Sequence, residues 1–206
     1  MGTTERRERD KAEMRDKICR AAMKLFLDEG FENTSIRRIA AAIEYTPGAI
    51  YSYFEDKDAI LFALHEEGFD KLFAMQIAAP LAEDPWERLL RCGQVYLQFA
   101  LENPEYYDLM FIMNATGKHI RSEKYDWDKG VRAYDFLREI VKDCIAQKKL
   151  PPDDPEVVAF ALWSSVHGMA ALVIRHRCVM IPEEARVPMA KAARQYLMST
   201  LKRSDT

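Results

Sequence analysis

Between Thr46 and Tyr53 the chain sets small and hydroxyl-bearing residues at short intervals: Thr46, Gly48, Ala49, Tyr51, Ser52 and Tyr53. Hydroxyls and free backbone N–H groups at a helix start bond phosphate oxygens, and small side chains let a backbone come close. Such a face suits a duplex, whose major groove admits an α-helix. The same spacing also suits a helical hairpin that merely packs. Around it, residues 34–57 read TSIRRIAAAIEYTPGAIYSYFEDK. Two helices this short are not stable alone, so a third must support them.

Other chemistries find little material. Cys19, Cys92, Cys144 and Cys178 lie far apart without a C-x-x-C pair, so they read as small buried hydrophobes of a reducing, cytoplasmic setting. His65, His119, His167 and His176 do not stand four apart from one another, and no H-E-x-x-H occurs. No metal, cofactor or catalytic residue is expected. The weak enzyme alternative is His119 near Asp126 and Asp128. Net charge is -3, and residues 1–60 hold 11 basic against 12 acidic residues, so bulk charge announces no nucleic acid. The charge is local instead. Arg6, Arg7, Arg9, Lys11, Arg15, Lys17 and Arg20 lie among five acids in the first twenty residues, either as a solvated helix start or as an arm that grips phosphate. The charged N-terminus lacks a signal-peptide core, and no uninterrupted apolar window of membrane length is found, so no membrane span is expected.

The elements that must position the 46–53 face follow from spacing and breakers. Ile18, Ala21, Ala22, Leu25 and Phe26 form one stripe on a helix over 10–29, which Gly30 ends. Thr34 can cap a helix over 35–43, with Ile36, Ile39, Ala40 and Ile43 inward. Thr46 and Pro47 start a third helix over about 47–53, with Ile50 and Phe54 inward. Asp56 caps a long helix over 57–78. Beyond it, helices are expected from Pro85 to before Asn103, from Pro104, over about 127–148, over about 154–176 and over about 188–202 after Pro182 and Pro188. Residues 114–125 read as looser. The fold class is all-α: a three-helix helix-turn-helix, homeodomain-like, over 1–55, and a larger helical bundle over 56–206, to which the resemblance given below assigns ligand binding and dimerisation.

In this register Gly30-Phe31, Thr34-Ser35, Ile39-Ala40, Tyr51-Ser52-Tyr53-Phe54 and Lys57 resemble the TetR family of bacterial repressors over about 45 residues. The resemblance implies a transcription regulator that binds DNA. It implies phosphate contacts at Ser35, Thr46, Tyr51 and Lys57, and a base-edge contact at Arg37. Pro47, Gly48, Ala49 and Tyr53 would face bases and sugar. Arg38 reads as a phosphate contact or a surface charge, and Tyr51 has an alternative as a half-buried core residue. The family carries glycine where this chain has Glu44. Glutamate tolerates positive φ less well, at a cost of about 1 kcal/mol.

One helix-turn-helix offers little surface, so a dimer on a palindromic operator is expected. The segment 155–178 is apolar around most of its circumference and, with the last helix over 188–202, is the expected dimer face; a core within one chain is the alternative. Trp163-Ser-Ser-Val-His167-Gly168 resembles the Trp-x-x-x-His-Gly signature of one subgroup. The resemblance also implies an effector pocket. Phe99, Met110, Met113, Tyr134, Trp163 and His167 are its candidate lining, suited to an apolar or aromatic small molecule with one polar handle, or else plain core. The implied mechanism is repression released by that molecule as the dimer changes shape, with the helix over 57–78 as lever. The alternative is a relative that has no small-molecule inducer.

Overall fold

Breakers and caps set the helix ends. The computed structural model describes residues 3–78, 82–119 and 125–202. Their elements are α1 (Thr3–Asp28), α2 (Ile36–Ala42), α3 (Pro47–Tyr51), α4 (Lys57–Ala78), α5 (Pro85–Glu102), α6 (Pro104–Tyr107), a π-helical turn (Asp108–Ile112), α7 (Asn114–His119), α8 (Asp128–Ala146), α9 (Pro155–Ile174) and α10 (Glu183–Leu201). No strand occurs among the described residues, and the all-α reading holds. Thr46, Asp84 and Asp154 each cap a helix whose first turn holds a proline.

Several boundaries differ from expectation for local reasons. Ser35, not Thr34, caps α2 by accepting from the Arg38 N–H at 3.3 Å. Thr34 is buried, and its hydroxyl instead reaches the carbonyls of Gly30 (2.9 Å) and Leu25 (3.3 Å). α1 starts at Thr3 rather than near residue 10, because its charged first half is laced by four-apart ion pairs such as Arg6–Asp10 and Arg9–Glu13. α3 ends at Tyr51, two residues early. α10 begins at Glu183, with Pro188 inside it. Residues 114–119, read as loose, are helical, and residues 120–124 lie outside the described residues. Met113 donates to the Asp108 carbonyl at 2.8 Å, the five-residue step of a π-turn.

The chain packs as two compact units: residues up to Gly68 with Glu105–Asp126, and Phe69–Pro104 with Trp127 onward. The expected boundary between 55 and 56 follows chain order. Packing instead joins the first part of α4, and the segment from Glu105 to Asp126, to the first three helices. In this unit Ile18, Ala22 and Phe26 of α1 are buried with Ile39, Ala40, Ile50, Phe54, Ile60, Leu61 and Leu64. Each fully buried branched side chain contributes about 1.5–3 kcal/mol. At Gly68 a Cβ would collide with the Met110 thioether and stand 3.3 Å from Tyr106, so the glycine admits the segment after Pro104.

In the second unit α5, α8 and α9 pack on one another and α10 packs on α9. Trp86, Leu89, Ile140, Val141, Cys144, Leu150, Ala159 and Met198 form the core. Only Ala159, Val166 and Ala170 of α9 are buried, while Val157, Phe160 and Leu172 are exposed. This helix is long and apolar enough, by composition, to cross a membrane, and 22% of its most apolar stretch is buried. The run is not uninterrupted, as read from the sequence: Ser164, Ser165 and His167 break it, without lowering its mean hydropathy below that of a span.

Gly68→Ala should destabilise the chain by about 1–3 kcal/mol through overpacking. Urea denaturation measures it, and an unchanged midpoint would show that Met110 yields freely.

Candidate nucleic-acid interface and effector region

A five-residue helix holds its place only through its neighbours. Ile50 and Phe54 anchor α3 in the core, and Thr46 accepts from the Ala49 N–H at 3.4 Å. α1 grips the far end: Arg15 Nη1 donates to the Tyr53 carbonyl at 2.6 Å, and its guanidinium lies 4.1 Å from the Phe54 ring centroid. Lys17 stands 4.9 Å from the ring of Tyr45, in the turn between α2 and α3.

That turn carries the expected positive φ. Glu44 sits at +61°. Tyr45 donates to the Ala40 carbonyl at 2.9 Å and Glu44 to that of Ala41 at 3.2 Å, so α2 ends in a Schellman turn with glutamate where glycine is usual. Gly30, at +87°, ends α1 as read from the sequence.

The outward side of α3 is open. Tyr51 is 57% exposed, which removes its core reading. Thr46 and Gly48 are exposed, and Pro47, Ala49 and Tyr53 are half-exposed. Ser35 and Arg37 are exposed on the neighbouring α2, and Arg37 bonds to no described residue. Arg38 pairs with Glu29 at 2.5 Å and is a surface ion pair.

Lys57 departs from expectation. Its ammonium donates to the carbonyls of Phe31 (2.9 Å) and Thr34 (3.3 Å) and stands 4.2 Å from the Phe31 ring centroid. Those carbonyls lie in the loop after α1, so Lys57 ties the start of α4 to that loop rather than reaching outward. Asp56 caps α4 as expected, accepting from Ala59 N at 2.7 Å.

The candidate effector residues fall in different places. Met110 and Met113 belong to the first unit, whereas Phe99, Tyr134, Trp163 and His167 belong to the second. Phe99 is fully buried and is core. Trp163 faces Tyr134 edge-on at 5.9 Å and lies 5.8 Å from His167. Sequence reading missed the residue that joins them. Tyr96 on α5 accepts from Trp163 Nε1 and meets His167 Nδ1, both at 3.2 Å. Burial lowers the His167 pKa, so the ring is neutral near pH 7 and Nδ1 can accept from the phenol. One partner of the His167 ring is thus a side chain, the Tyr96 phenol.

All four cysteines are free and buried. Burial pushes the Cys19 and Cys144 thiols to about 12 and Cys92 to about 11, so none of these three is a nucleophile at neutral pH. Among the described residues no metal-binding group of three His, Cys, Asp or Glu gathers, and the His119 side chain lies outside them.

The family described as "Tetracyclin repressor-like, C-terminal domain" matches residues 89–196, and "Bacterial regulatory proteins, tetR family" matches residues 18–64. The chain belongs to the TetR family. Members are DNA-binding transcriptional regulators, often repressors, commonly dimeric, and not enzymes. The chain is 26% identical to the HTH-type transcriptional regulator HbdR of Aromatoleum sp. (strain CIB), over 77% of this chain and 69% of HbdR. It is 28% identical to the HTH-type transcriptional repressor AcnR of Corynebacterium glutamicum, over 62% of each. A tetR-family regulatory protein from Rhodococcus RHA1 shares the fold, with a TM-score of 0.70 at 19% identity over 93% of this chain and 98% of that one.

Lys57→Ala should lower unfolding stability by about 1–3 kcal/mol, since two carbonyls lose a charged donor. Chemical denaturation reads this directly. An unchanged stability would return Lys57 to the role of an outward phosphate contact.

Proposed function

We propose that this TetR-family chain is a dimeric, effector-responsive repressor that reads a palindromic operator through α3. The exposed small and hydroxyl-bearing side of α3, braced from behind by α1 and α4, supports this reading most. Thr46, Pro47, Gly48, Ala49, Tyr51 and Tyr53 lie against the duplex with Ser35, and Arg37 seeks a guanine edge. Lys57 acts through the loop it holds. The domain division is functional: residues 1–55 read DNA and residues 56–206 dimerise and bind the effector.

The apolar exposure of α9 and α10 supports the dimer. Phe160 is 58% exposed and Tyr196 73%, alongside Val157, Leu172 and Met189. Water is a poor neighbour for so much apolar surface, and a second copy covers it where 155–178 and 188–202 of both chains meet. This reading accounts for the composition of α9 without a membrane, and it fits a regulator of the cytoplasm.

The aromatic group of Tyr134, Trp163 and His167 is the effector region of the second unit. We read the Trp163-Ser-Ser-Val-His167-Gly168 stretch as the signature of one subgroup of the family. An apolar or aromatic molecule held by Trp163 and His167, with the His167 ring as its polar handle, releases the repressor from its operator. A relative without a small-molecule inducer is the second reading, favoured by one observation: Trp163, Tyr96 and His167 already satisfy one another.

Selection from random-sequence DNA should enrich an inverted repeat whose half-sites lie about one helical turn, roughly 34–36 Å, or a multiple apart. Absence of any enriched sequence would remove the reading. Arg37→Ala should cost about 1–3 kcal/mol at one base pair and relax preference there; unchanged selectivity in the same assay would exclude a base contact. In sedimentation the chain should run as a dimer and Phe160→Glu as a folded monomer. A Phe160→Glu dimer would place the interface elsewhere.

A further inference from the structure

The seven basic residues of the first twenty are sorted by their partners. Arg6 pairs with Asp10 at 3.9 Å, Arg9 with Glu13 at 3.6 Å and Arg20 with Asp16 at 2.5 Å. Arg15 is held by the Tyr53 carbonyl and the Phe54 ring, and Lys17 by the Tyr45 ring. Arg7 and Lys11 are left with no ion pair, hydrogen bond or ring contact among the described residues. Arg7, Lys11 and Arg15 are four apart in turn, so they share one face of α1. Arg15 fixes where that face points, because it touches the end of α3.

An open groove of about 290 Å³ lies there, lined by Arg7, Asp10, Lys11, Ser52 and Tyr53. Its cations outnumber its one acid, and Asp10 is already engaged by Arg6. Tyr53 is half-exposed at its edge, and its hydroxyl is given no partner among the described residues. The groove is continuous with the α3 side that faces DNA in the proposed function. An anion on a regular backbone, adjoining that side, fits it better than an apolar partner would.

We propose that Arg7 and Lys11, where the groove adjoins Ser52 and Tyr53, form a separate binding site for a DNA backbone phosphate, outside the base pairs read by α3. The first turns of α1 then extend the footprint along the duplex. The local charge does so although residues 1–60 as a whole carry none to spare. This inference rests on the DNA-binding reading and deepens it.

The test uses the full chain and a duplex that the chain itself enriches from random-sequence DNA. Affinity is measured across a salt series for the wild type, for Arg7→Ala/Lys11→Ala, and for Arg9→Ala/Arg20→Ala, which removes equal charge from residues that already have partners. Each lost phosphate contact lowers the slope of log affinity against log salt by about 0.9, so the first variant, which removes one phosphate site, should lose about 0.9 per protomer. The control variant should keep the wild-type slope. Hydroxyl-radical footprints should lose protection at the flanks in the first variant and keep it in the centre. All three chains should give the same circular dichroism, because the altered side chains are exposed. An unchanged slope with unchanged flanks, or an equal fall in the control, overturns the proposal while leaving the regulator reading intact. A wild type that enriches no duplex overturns both.

Discussion

The DNA-facing half of the molecule depends on how a helix of five residues is kept in one orientation. α3 is too short to persist by its own hydrogen bonds. Ile50 and Phe54 sink it into the core, and Arg15 fastens its last turn through the Tyr53 carbonyl. Lys57 fastens the loop between α1 and α2 on the other side. With its back held this way, the front of α3 can be small and polar without loss of stability.

Strain is admitted where that arrangement demands it. Glu44 adopts a left-handed conformation so that α2 can end and α3 can begin within a few residues. The Schellman bonds to Ala40 and Ala41 offset part of the cost. At Gly68 the reverse holds: absence of a side chain, rather than an unusual backbone, lets Met110 and Tyr106 lie against α4. The second unit follows a different rule. Its core is filled by α5, α8 and α9, yet α9 keeps an apolar outer side that one chain does not cover.

Helix identity was legible because breakers and caps act locally. Pro47, Pro85, Pro104 and Pro155 each start a helix, and Gly30 ends one. Helix ends were less legible where a side chain answers to a distant group. Thr34 looked like a cap, but its hydroxyl turns back to Gly30 and Leu25. Lys57 matched a family position, yet its partners lie 26 and 23 residues earlier, in a loop whose carbonyl directions no spacing encodes. The four-apart pair Trp163 and His167 could be placed on one face. Their shared partner Tyr96 lies 67 and 71 residues away and becomes visible only when α5 and α9 pack. Met110 and Met113 are apolar, as a pocket lining would be, but belong to the other unit than the aromatic group.

The central claim is that the exposed side of α3 is the surface that meets DNA. Amide hydrogen exchange, measured with and without a duplex enriched by the chain, tests it most directly. Slower exchange across residues 46–53 on adding the duplex is the result this account requires. Unaltered exchange there, with protection appearing at some other part of the chain, would contradict it.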